Sequence, residues 1–294
     1  MRRNILQARR LRGDIDLGTD LSRTNGAGVR DFARMDFPGG LLPGQTEQPL
    51  YEESATQKYN IGTRRVHYDR TFRYSYAGAA LAGLGRLVIN SNFAPGVTGH
   101  TQEDGYEGSL QTQAEIGDLY VDIADTVVRA ADYYRGGHIV AFGGTVFHNY
   151  YIVKSDVGTG AYVRCYLDAA VYEELITTGY GVTAYLSKYS DIRPATGAQT
   201  SFESFVGLNI IPVDTGGWFW MQTRGPAWVT PTGGTWPGSA ANLRDIYANP
   251  GDGTIQPSTL SDPSLGYQRI GYLIMATGGS GSDYGDALIQ LMLE

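Results

Sequence analysis

Lysine is nearly missing from this chain of 294 residues: Lys58, Lys154 and Lys188 stand against 20 arginines. Cysteine is rarer still. The single thiol, Cys165, excludes an intramolecular disulfide framework and any cysteine-based zinc cluster. No apolar run reaches the roughly 18 residues of a membrane-spanning helix. The N-terminal MRRNILQARRLRGD lacks the apolar core of roughly 7–15 residues that makes a signal peptide, so synthesis in a cytoplasm is expected. Catalytic signatures are lacking too. There is no Gly-Lys dipeptide for a phosphate loop, no G-x-S-x-G elbow and no H-E-x-x-H. The four histidines, His67, His100, His138 and His148, fall at no metal-ligand spacing. No catalytic, cofactor or metal residue is assigned, and the chain is not expected to be an enzyme.

What is abundant points to β structure. Forty glycines, about twice average usage, are incompatible with a mainly helical protein, since each interior glycine costs a helix about 1 kcal/mol. Twenty-one tyrosines lie between Gly, Asn, Asp and Pro clusters, the alternation that pleated strands and tight turns need. Strands are predicted over 86–90, 118–125, 137–143, 150–156, 161–168, 181–189, 204–213, 217–223, 226–231, 270–277 and 286–294. A hairpin is predicted within RRVHYDRTFRYSYAG, turning near Asp69-Arg70. A short helical piece fits residues 1–12, another helix is an option around 124–131, and 232–267 reads as a long loop. The predicted architecture is mainly β: a barrel or sandwich of short antiparallel strands over 59–294, with a possible subdomain break near 190–204. It is preceded by an extended, Arg-rich arm and connector over 1–58.

Charge is placed asymmetrically. Residues 1–35 hold eight arginines against four aspartates, a net of +4, whereas 36–294 carry a net of −11. A basic arm on an acidic body suggests a tether to an acidic surface or to a neighbouring copy; a solvated tail is the plainer reading. Nucleic-acid binding would need a broader basic face. Arginine and tyrosine enrichment with lysine depletion is the bias of protein–protein interfaces; arginine-rich codons explain the first but not the tyrosines.

Weaker fragments have plainer readings. Cys165 sits in an alternating strand, where a buried inert thiol is expected. Residues 278–283 match part of one calcium β-roll repeat, and one copy builds no site. Asp14, Asp16 and Asp20 start like an EF-hand but lack its closing Glu. The adjacent carboxylates Glu52/Glu53, Glu103/Asp104 and Glu173/Glu174 would point to opposite faces of a strand, which argues against a shared glycosidase cleft.

The densest segment is Trp218-Phe219-Trp220-Met221-Gln222-Thr223-Arg224-Gly225-Pro226-Ala227-Trp228. As a strand it is apolar on both faces. It therefore reads as a central buried strand or one buried at an interface, with a tryptophan platform for carbohydrate as the alternative. This block resembles a group of tailed-bacteriophage virion proteins that look like capsid decoration proteins. So do Ile61-Gly62-Thr63-Arg64, Asp69-Arg70-Thr71-Phe72-Arg73-Tyr74, Ala77-Gly78-Ala79-Ala80-Leu81, Phe205-Val206-Gly207 and Ile270-Gly271-Tyr272. The resemblance covers about residues 59–294. It implies a structural protein on the capsid exterior, without cofactor, bound to the major capsid protein and to its own copies as a trimer or dimer. No membrane and no direct nucleic acid are implied. Another virion role (major capsid, head-fibre or tail-tube subunit) or a phage-surface carbohydrate-binding module is the alternative. The candidate interface residues are Arg2, Arg3, Arg9, Arg10, Arg12, Trp218, Trp220, Gln222 and Arg224.

Overall fold

A computed structural model describes residues 23–24, 30–31, 41–90, 105–143, 147–195, 204–231, 244–249, 251–257, 267–276 and 287–294. Among them every regular element is a strand, and all strands pair antiparallel. The expectation of an all-β, antiparallel protein holds. The helical option at 124–131 does not: these residues are irregular turns that follow the strand at Tyr120–Ile123. The helical piece at 1–12, the calcium-like fragments and arginines 2, 3, 9, 10 and 12 lie outside the described residues.

The chain forms two units. Residues 1–90, 192–200 and 204–294 make the first, and residues 91–191 with 201–203 the second. The second is thus an insertion. Its ends lie at 90/91 and 191/192. In chain order the first unit contributes β1 (Arg23–Thr24), β2 (Arg30–Asp31), β3 (Arg64–His67), β4 (Arg70–Tyr76) and β5 (Arg86–Ile89). The inserted unit holds β6 (Gly105–Ser109), β7 (Tyr120–Ile123), β8 (His138–Phe142), β9 (His148–Ser155), β10 (Val163–Leu167) and β11 (Gly181–Tyr185). The first unit resumes with β12 (Arg193–Pro194), β13 (Phe205–Asn209), β14 (Trp218–Trp228), β15 (Asp245–Ala248), β16 (Ile255–Pro257), β17 (Arg269–Ala276) and β18 (Ala287–Met292).

In the first unit β1 pairs with β2, and the large sheet runs β12-β5-β13-β14-β18-β17-β15-β16, with the β3–β4 hairpin joined to β14 through β4. The hairpin turn is Tyr68-Asp69, closed by the His67↔Arg70 pair, one residue earlier than expected. Strand β14 is the hub. It pairs with β4 over Trp218–Arg224, with β13 at Gln222, and with β18 over Arg224–Trp228. Two strands expected at 217–223 and 226–231 are therefore one strand through Gly225-Pro226. Gly225 adopts φ +99°, and a Cβ there would lie 2.3 Å from the Asp69 carbonyl oxygen, so only glycine lets the hairpin close against the strand. Pairing with β4 ends at Arg224, which leaves Pro226 without a β4 partner where a residue lacking an N–H is tolerated.

Two further expectations are corrected. The expected loop 232–267 contains β15 and β16, because Ile246, Ala248 and Ile255 alternate into the core beside Ile270 and Ile289. The connector expected to run to residue 58 is, over residues 41–58, a built part of the first unit. Leu41 bridges Tyr59, Ser54 bridges Trp218, and Leu50 is buried.

In the inserted unit the sheet order is β6-β11-β8-β9-β10-β7. Strand β9 shows the period of two: His148, Tyr150 and Ile152 point into the core, while Asn149, Tyr151 and Val153 point to solvent. Its core gathers Ile123, Tyr134, Ile152, Val163, Cys165 and Val182.

Candidate functional site

The tryptophan block divides at Gln222. Its first half is interior. Trp220 is fully buried, its ring 5.0 Å from both Tyr59 and Tyr74, and its Nε1 donates to the Gln48 carbonyl at 3.1 Å. Gln48 meets every polar demand around it. Its Nε2 donates to the carbonyls of Glu52 and Trp218 at 2.7 Å, and its Oε1 accepts from the Tyr74 hydroxyl at 2.9 Å. The Arg65 guanidinium covers the Trp220 ring at 5.5 Å. Trp218 is half-buried, stacked on Tyr74 and tilted against Tyr76. Gln222 is buried and donates to the Arg224 and Pro226 carbonyls. Trp220 and Gln222 therefore cannot serve as interface residues. Trp220 is sealed because Gln48, Leu50 and Tyr59 close the apolar face that the sequence left open. Trp220 is closed to a sugar for the same reason, whereas Trp218 and Trp228 are only half-buried.

The second half of the block faces outward. Arg224 is exposed beside Met292; Pro226 lies in register with Gln290, and Gln290 with Tyr272. Trp228 lies opposite Leu288, and Leu288 opposite Met275. Tyr272, Met275, Leu288 and Met292 are all exposed, Met275 by 61%. One face of β14, β18 and β17 thus carries apolar side chains to solvent, with the Arg224 guanidinium at its edge beside Met292. Of the proposed residues, Arg224 belongs to this face. Its companions on β17 and β18 went unassigned, because a strand with apolar residues on both sides reads as buried.

A second apolar surface lies at one end of the inserted unit. The 114–119 loop is tied to the 167–175 loop by the Ala114↔Leu175 bridge and by hydrogen bonds between Gly117 and Val171 and between Val171 and Asp118. These loops expose Ile116 (69%), Leu119 (56%) and Tyr172 (55%). The Tyr172 ring lies 4.6 Å from buried His148, which follows exposed Phe147 (68%). Glu115, Asp118, Asp168, Glu173 and Glu174 stand among them. Gln113 Nε2 donates to Glu115 Oε1 at 2.9 Å and to Glu174 Oε1. Glu173 Oε2 and His148 Nε2, 3.6 Å apart, are buried without a hydrogen-bond partner. No lysine or arginine occurs in residues 91–128, 136–153 or 165–187.

The remaining polar clusters are structural. Buried Asp125 accepts from Arg129 Nε at 2.9 Å, from the Tyr134 hydroxyl at 2.6 Å and from the Val127 amide at 2.9 Å. Asp122 and Arg164 form a two-pronged ion pair at 2.7 and 2.8 Å. Cys165 is fully buried, and burial pushes its thiol up, far from a reactive thiolate. Among the described residues, no three His, Cys, Asp or Glu side chains group as a metal site would require. A cavity beside Leu81, Arg86, Asn209 and Asp252 has room for about 30 Å³, the size of one water.

Burial makes the aromatic clusters sensitive to alkali. It pushes the Tyr74 hydroxyl up to about 12 and raises those of Tyr59 and Tyr134; the adjacent Asp125 carboxylate raises Tyr134 further. The folded chain holds these protons while the unfolded chain releases them near pH 10. Stability should therefore be intact below about pH 10. Above it, stability should fall by about 1.4 kcal/mol per pH unit for each such tyrosine, levelling for Tyr74 near pH 12. Urea midpoints measured across this range, with tyrosinate absorbance followed in parallel, check it. A flat profile would show that these hydroxyls are not buried.

Comparison of the chain with protein-family models, with curated proteins and with solved structures gives no match, so the functional reading rests on these residues and surfaces.

Proposed function

We propose that this chain is a structural protein of a tailed-bacteriophage virion, which decorates the outer surface of the head and stabilises it through contacts with the major capsid protein and with neighbouring copies. It acts by adhesion, without cofactor and without turning over a substrate. The observation that carries this reading is the solvent-facing side of β14, β18 and β17, where Tyr272, Met275, Leu288 and Met292 are exposed on a face that Arg224 borders beside Met292. Exposed methionine, aromatic and arginine side chains on one face are the composition of protein interface cores. The segments that resemble decoration proteins run through the same strands, and the arginine-rich first 35 residues supply a tether of opposite charge to the body.

The test is gold labelling of purified particles of the encoding phage with antibodies against the purified chain. Label over the head exterior is expected. Label on the tail would transfer the chain to another virion role, and label found only outside particles would end the proposal.

A further inference from the structure

We propose that the apolar, carboxylate-ringed end of the inserted unit is the receptor for the first twelve residues of a neighbouring copy, so that the chain associates arm to body. This rests on the adhesive reading above and names the surface and its occupant. The surface presents Phe147, Tyr172, Ile116 and Leu119 to solvent, with Glu115, Asp118, Asp168, Glu173 and Glu174 among them. Its ligand must therefore be both apolar and basic. Segment 1–12 is such a ligand: Ile5, Leu6, Ala8 and Leu11 alternate with Arg2, Arg3, Arg9, Arg10 and Arg12, and it carries no acid.

Among the described residues, Glu115, Glu174, Asp118 and Asp168 accept hydrogen bonds from Gln113 and from backbone amides, and segments 91–128, 136–153 and 165–187 contain no lysine or arginine. Guanidinium groups reaching Glu115 and Glu174 would add charge-assisted, forked hydrogen bonds. The exposed Tyr172 ring offers a face for a further arginine, and Ile5, Leu6 and Leu11 would cover Phe147 and Ile116. Beneath this surface, Glu173 Oε2 and His148 Nε2 lie 3.6 Å apart, and neither makes a hydrogen bond. Because arm and receptor are different surfaces, the contact is heterologous and closes into a ring or continues as a chain.

Charge exchange between full-length chains tests this in trans. One variant carries Arg9→Glu, Arg10→Glu and Arg12→Glu; the other carries Glu115→Lys and Glu174→Lys. All five positions are at the arm or on exposed loops, and circular dichroism checks folding. Sedimentation velocity is expected to show wild-type self-association that weakens with salt. Each variant alone should lose roughly tenfold to a hundredfold in association constant, and an equimolar mixture should regain it. Phe147→Ser and Ile116→Ser in the wild-type background should weaken association without changing its salt dependence. A wild-type chain that stays monomeric, a variant that associates as well as wild type, or a mixture that does not recover overturns the proposal. If the proposal falls while gold label still covers heads, the arm's receptor lies elsewhere and the decoration reading stands. Loss of head label with intact charge exchange would do the reverse.

Discussion

Replacing Trp220 by alanine is expected to destabilise the first unit by about 3–5 kcal/mol, a fall in melting temperature on the order of 10 °C. The ring is wholly buried between Tyr59 and Tyr74 and under the Arg65 guanidinium. Its loss opens a cavity that strands cannot easily collapse into, because β14 is held in register by β4 and β18. The cost is more than volume. The Gln48 carbonyl loses its indole donor, and Gln48 in turn holds the Tyr74 hydroxyl and the Trp218 carbonyl. Alanine at Arg224, six residues from the start of the same strand but exposed, should change stability by less than about 0.5 kcal/mol. Urea unfolding followed by fluorescence of the remaining tryptophans measures both. No tryptophan occurs in residues 91–191, and Trp218 and Trp228 lie on β14, so the signal does not report on the inserted unit. A loss below about 1 kcal/mol for Trp220→Ala would mean that the aromatic cluster is not a sealed core.

The contrast between Trp220 and Arg224 also shows where sequence reasoning ends. Alternation along YYIVKSD and AYVRCYLD gave strands that β9 and β10 reproduce, because a half-buried strand writes its own period into the chain. The block at 218–228 is apolar on both sides, and such a strand has no outward face to read. Its surroundings arrive from far away in sequence: Gln48 lies 172 residues from Trp220, and Tyr59 and Tyr74 come from the opposite end of the chain. A connector rich in Gly, Pro and Gln carried too little hydrophobic signal to announce that Leu50 and Tyr59 would plug the core. β15 and β16 were lost in the same way, since three buried residues, Ile246, Ala248 and Ile255, specify them among glycine, proline and asparagine. The insertion was only half legible. The sequence suggested a break near 190–204, but the return of β12 to pair with β5 is a non-local event, Arg193↔Ile89, that no window of sequence contains. Of the proposed interface, the charge of the arm was readable, whereas its counterpart was not. Glu115 and Glu174 sit on loops 59 residues apart that meet only through Gln113 and the Ala114↔Leu175 bridge.

The inserted unit has its own decisive contact, and it is ionic. Asp125 is fully buried and Arg129 nearly so; each is the other's charge partner, and Tyr134 and the Val127 amide occupy the remaining carboxylate positions. Truncating Asp125 to alanine leaves a guanidinium and a phenol facing an empty site in low dielectric, so a loss of about 3–5 kcal/mol is expected. Arg129→Met should cost less, about 1–2 kcal/mol, because the carboxylate keeps two donors and methionine fills the space of the arginine stem while the Tyr133 face loses its cation. The informative variant is the double one, Asp125→Leu with Arg129→Met. If the pair exists to satisfy its own charges, removing both should be milder than removing Asp125 alone, by about 1–3 kcal/mol. With no tryptophan in residues 91–191, the measurement is amide hydrogen exchange along Val163–Leu167 and His148–Ser155, the strands that enclose this core. A double variant as unprotected as Asp125→Ala would show that the aspartate's bonds to Tyr134 and Val127, not its pairing with Arg129, hold this part of the unit together. The ion pair would then be a consequence of the turn at 125–129 instead of its cause.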